Sequence, residues 1–133
     1  MRETPASAPA WTAGKFGAAL DLDGTNDSIN IPDAPSLNLT DAFTIEAWVK
    51  QQGNHNHGFG PVVGKRRGAA GYMVGPNNNR TVNVYLNGVP WRPGGYGTTS
   101  TAQIKDNDWS FLAGVYDGAT NHVGIYIDRN WET

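Results

Sequence analysis

The chain has 133 residues, enough for one domain with a real core and too short for two of ordinary size. Its 17 Gly, 8 Pro and many Thr and Asn favour strands and turns over helices, and 11% aromatic content argues against disorder. A net charge of −2 speaks against a nucleic-acid or anionic-membrane partner, and the lack of cysteine excludes disulfides, thiolate catalysis and cysteine-bound zinc.

Residues 1–13 contain Thr4-Pro5-Ala6-Ser7-Ala8-Pro9-Ala10, which reads as a linker without the apolar centre of a signal peptide. The domain is then expected over 14–133, as part of a larger protein. No apolar run approaches the length needed to cross a membrane. Phe16 to Leu22 is the first apolar run, closed by the turn pair Asp23-Gly24 with Asn26-Asp27 behind it. Ser28 to Ile31 alternates until Pro32 stops it. Phe43 to Lys50 is the clearest strand: Phe43, Ile45, Ala47 and Val49 share one face, and Thr44, Glu46, Trp48 and Lys50 the other.

Short strands follow at Pro61–Lys65 and Tyr72–Val74, with Lys65-Arg66-Arg67 read as a solvated loop. Thr81 to Leu86 alternates, with Val82, Val84 and Leu86 opposite Asn83 and Tyr85. Asn87-Gly88 signals a hairpin turn. Strands are further expected over Thr98–Ile104, Trp109–Tyr116 and Val123–Ile127. About nine strands and no amphipathic helix point to an all-β, two-sheet antiparallel sandwich or jelly roll.

The segment Gly14 to Lys50 resembles the laminin-G-like, concanavalin A-like lectin/glucanase superfamily, and more narrowly the bacterial LamG-like jelly-roll domains. Gly71-Tyr72-Met73-Val74-Gly75 with Val82 to Leu86, and then Trp109 to Gly118 with Val123 to Asp128, continue that resemblance in the family's order. The resemblance implies a bacterial module of secreted or cell-surface proteins that binds glycans or surface proteins and in some members carries calcium. Members continue past the strand like Val123–Asp128 with further strands. The sandwich is therefore expected to lack its last strands, and unpaired edges could pair into a homo-oligomer. It also implies that Trp48 lies inside a sheet, so Trp48 reads as core.

Glycosidases of this fold carry acidic residues at alternate positions of a strand. The three glutamates here, Glu3, Glu46 and Glu132, form no such pair, so no enzyme is expected. Asp21, Asp23 and Asp27 offer carboxylates within one turn. They are a calcium candidate, or else residues that stabilise their own hairpin. His55 and His57 have the spacing of a metal pair, or of a polar loop tip. Trp91, Arg92 and Tyr96, in a loop rich in Gly and Pro, are the ligand-binding candidates, with Asn78 nearby. Flat rings stack on sugar faces while Arg and Asn donate to hydroxyls. The other reading has Trp91 folded down to cap the sandwich.

Overall fold

The computed structural model describes residues 8–53, 58–67, 70–87 and 96–132. It divides between Ala34 and Pro35 into two compact units. In the first, β1 (Ala10–Ala13) pairs antiparallel with β2 (Ala18–Asp21). The linker reading thus runs through residues that form a strand here; their Ala-rich composition conceals it. Ser28 to Ile31, read as alternating, forms no strand.

The second unit opens with a single 3-10 turn, Pro35–Leu37, and then holds two four-stranded antiparallel sheets. The first runs β10-β9-β8-β3, with β3 at Ala42–Lys50, β8 at Trp109–Asp117, β9 at His122–Ile127 and β10 at Asn130–Glu132. The second runs β4-β5-β6-β7, with β4 at Val63–Arg67, β5 at Ala70–Pro76, β6 at Thr81–Asn87 and β7 at Tyr96–Gln103. Among the described residues there is no α-helix.

Alternation explains how the sheets meet. Each strand turns every second side chain inward. Phe43 of β3, Leu112 and Tyr116 of β8, and Val123, Ile125 and Ile127 of β9 form one wall of the core. Tyr72 and Val74 of β5 and Val82, Val84 and Leu86 of β6 form the other. The Phe43 ring lies 5.2 Å from Tyr72 and 5.7 Å from Tyr116. Gly114 marks the closest approach: a Cβ there would come within 2.8 Å of Cγ2 of both Val74 and Val84. This is the face-to-face packing of a β-sandwich.

The same alternation corrects two expectations. Trp48 is not core. It shares the outward face with Thr44, Glu46 and Lys50, is 40% exposed, and rests against Phe111. Lys65-Arg66-Arg67 is not a loop but the end of β4, paired with Tyr72, Gly71 and Ala70. Lys65 donates to Asn38 Oδ1 at 2.7 Å.

The partnership of β6 and β7 contains a bulge, where the register shifts between Thr81 and Asn83. The Ser100 hydroxyl closes it, accepting the Val82 N–H at 2.8 Å and donating to the Ala102 carbonyl at 2.7 Å.

Candidate functional site

The outward face of the second sheet is low in bulk. Register sets Gly64, Met73, Tyr85 and Gly97 in one row across all four strands. Glycine at both ends leaves Met73 and Tyr85 standing between lowered shoulders. A Cβ at Gly64 would reach Met73 Cγ at 2.8 Å, so close packing there depends on the missing side chain. Beside that row lie Arg66 on β4 and Asn83 on β6, and Phe59 closes the side. Together these five residues line a solvent-open cleft of about 320 Å³. That is the lower end of the size range of small-ligand sites.

Phe59 is held by the backbone. It bridges to Asn77, and the Asn78 N–H donates to the Gly58 carbonyl at 3.2 Å. The turn beyond is self-capped. Asn77 Nδ2 donates to Thr81 Oγ1 at 2.9 Å, and Asn79 Oδ1 accepts from the Thr81 hydroxyl at 2.7 Å. Asn78 is exposed at the tip of this turn, so its backbone anchors the Phe59 segment while its side chain faces solvent.

The lining offers a flat ring in Tyr85, an amide in Asn83, a fixed positive charge in Arg66 and two apolar walls. It can stack on a ring and donate to oxygens. It contains no carboxylate, and so lacks the acid pair that glycoside hydrolysis uses.

Residues 23–129 match the laminin G family model of the concanavalin A-like lectin/glucanases superfamily. The chain belongs to that superfamily. No curated protein and no solved structure matches it.

In this laminin-G-like chain, Trp91 and Arg92 lie outside the described residues, as do His55 and His57. The backbone of Tyr96 opens β7 opposite Leu86. The acidic turn belongs to the first unit. The Asp23 carboxylate accepts the N–H groups of Thr25 at 2.8 Å and Asn26 at 3.2 Å, and these amides hold its pKa below the ordinary aspartate value. Asp27 Oδ2 accepts the Asp23 N–H at 3.0 Å. Asp21 ends β2 opposite Ala10. The turn thus brings Asp23 and Asp27 together through the backbone. Among the described residues no three acidic or histidine side chains gather as metal ligands.

Sequence reasoning missed Arg66, Met73 and Phe59 as site residues. The signal for Tyr85 and Asn83 was present, since alternation had already set both on the face away from Val82 and Val84.

Proposed function

We propose that this laminin-G-like chain is a non-catalytic carbohydrate-recognition module, with its ligand in the cleft on the outer face of the second sheet. The observation that carries this reading is the convergence of Tyr85, Asn83 and Arg66 on one open cleft between glycine-lowered strands. Tyr85 stacks on the apolar face of a pyranose ring, Asn83 pairs with a hydroxyl, and Arg66 favours a sugar bearing a carboxylate or sulfate. Residues 88–95 join β6 to β7, so Trp91 and Arg92 remain candidates for extending the contact. An extracellular or cell-surface setting fits this role. Among the described residues no helix is long and apolar enough to cross a membrane.

A glycan array tests the reading, run with calcium and again with chelator. Tyr85→Ala and Arg66→Ala are expected to weaken selective binding about tenfold or more. Loss in Trp91→Ala with both of those variants unaffected would move the site to the loop. Chelator sensitivity would support calcium at the Asp23 turn.

A second reading is protein assembly through sheet edges. It is favoured by β3, nine residues long, which ends its sheet's hydrogen-bonding order. A strictly monomeric species in light scattering removes it, and an absence of glycan binding moves weight to it.

A further inference from the structure

The outer face of the first sheet carries aromatic side chains from all four of its strands, two of them on β8, where Trp109 stands opposite Lys50. Trp48 of β3 stands opposite Phe111 of β8, and Tyr126 of β9 stands opposite Trp131 of β10. The two pairs are linked through β8, because Tyr126 is opposite Ala113, two residues along from Phe111. Diagonal neighbours on a sheet face are about 7–8 Å apart, within reach of aromatic rings. The four rings therefore form one diagonal stripe across the sheet.

Packing fixes the stripe. The Trp48 and Phe111 centroids are 5.5 Å apart, and those of Tyr126 and Trp131 4.3 Å. The residues beneath are small. Ala113 is buried, and Trp131 lies over Gly124, where a Cβ would collide with the indole. On β3, Glu46 and Lys50 flank Trp48, both exposed, supplying an acceptor and a donor at the margin.

The size of the stripe selects its occupant. Trp48, Tyr126 and Trp131 are each about two-fifths exposed. At about 150–250 Å² per aromatic side chain, they offer roughly 200–300 Å² of ring surface. A standard protein interface takes about 800 Å² per partner, so the stripe is too small to hold a protein by itself. It suits one or two sugar rings, whose C–H faces are flat and apolar and whose hydroxyls project from the edge toward groups such as Glu46 and Lys50.

We propose that this stripe is a second binding surface, separate from the cleft, that adsorbs the flat faces of pyranose rings in extended or insoluble polysaccharide. The proposal stands on the register of the first sheet and does not depend on the cleft.

The test is pull-down of the intact chain on microcrystalline cellulose and on chitin. The wild type is expected to adsorb to at least one of them. The Trp48→Ala/Tyr126→Ala double variant should lose about tenfold or more in adsorption while its circular dichroism at the assay temperature stays that of the folded wild type, and Arg66→Ala should adsorb normally. Array binding in the double variant then reads the cleft separately. Oxidation by N-bromosuccinimide gives a measure that needs no variant: bound polysaccharide should shield Trp48 and Trp131 in the peptide map. Three results would overturn the proposal: no adsorption to either solid, equal adsorption by the double variant with both indoles unshielded, or a wild-type dimer that the double variant abolishes.

Discussion

Ser100 has one hydroxyl and two tasks. It stands where β6 and β7 lose register, and it is buried together with the Val82 amide that it accepts. Replacing it with alanine leaves that amide without its partner, at a cost of about 1–3 kcal/mol. Urea denaturation of Ser100→Ala should show a lower midpoint with an unchanged slope. Gly114 presents the opposite problem. Alanine would force its methyl against Val74 and Val84 from the facing sheet, and overpacking of this kind costs about 1–3 kcal/mol. Gly114→Ala should therefore destabilise although alanine is the better core residue by composition, and the same denaturation experiment checks it. Trp48 makes the related point for sequence reading. Hydrophobicity and family resemblance put it inside, but its position in the alternation puts it outside, and the alternation holds.

At the scale of elements, β10 shows how an edge can be closed by a side chain. Both carboxylate oxygens of Glu132 accept backbone amides of β7, those of Thr101 and Ala102, and the Thr101 hydroxyl adds a third contact at 3.0 Å. These donors, led by the Thr101 amide, hold the Glu132 pKa below the ordinary glutamate value. A depressed carboxyl contributes stability above its unfolded pKa and loses it as pH falls through its folded pKa. Asp117, held low first by the Thr120 hydroxyl and then by the Ala119 amide, acts in the same direction. Thermal melts should thus show Glu132→Gln below the wild type at pH 7, with the gap closing as pH falls below about 4. A gap that persists at pH 3 would mean that the charge of Glu132 is not what matters.

The elements also show what the chain discloses on its own. The strands β3, β6, β8 and β9 were legible because each alternates for six residues or more with bulky inward side chains. Neither β1 nor β10 was: Ala-Trp-Thr-Ala resembles its linker surroundings, and Asn-Trp-Glu is too short to show a period. Two of the five cleft residues were visible in the outward pair Asn83 and Tyr85. Arg66 was hidden because a basic triplet beside glycines resembles a loop, and Phe59 because it sits in a polar segment. The aromatic stripe was invisible, since residues 48, 111, 126 and 131 become neighbours only through the register of three strand pairs.

For the sandwich of the second unit, the two outer faces point away from each other across the shared core. The cleft and the stripe therefore occupy opposite sides of one module. Sites so separated, with no shared partners, act additively. Combining Arg66→Ala with Trp48→Ala should leave each variant's own deficit unchanged, array binding for the first and solid adsorption for the second. A deficit in one assay that grows when the other site is altered would show that the faces communicate. Binding at both faces would let a single copy hold two chains at once, and linked copies would then gain avidity without any new contact.

The pairing of β3 with β8 has a consequence for how the molecule is made. The second sheet is a meander of hairpins, each strand beside its successor, so it can assemble as it is synthesised. By contrast, Glu46 waits for Ala113, and the whole of that meander lies between them. At about 5–20 residues per second on the ribosome, the apolar face of β3 stays without its partner strand for a matter of seconds. Non-local pairing of this kind is slow to form and exposed to aggregation. The polar outward residues Thr44, Glu46 and Lys50 then serve the nascent chain as well as the finished one, keeping an early strand soluble until its neighbour emerges.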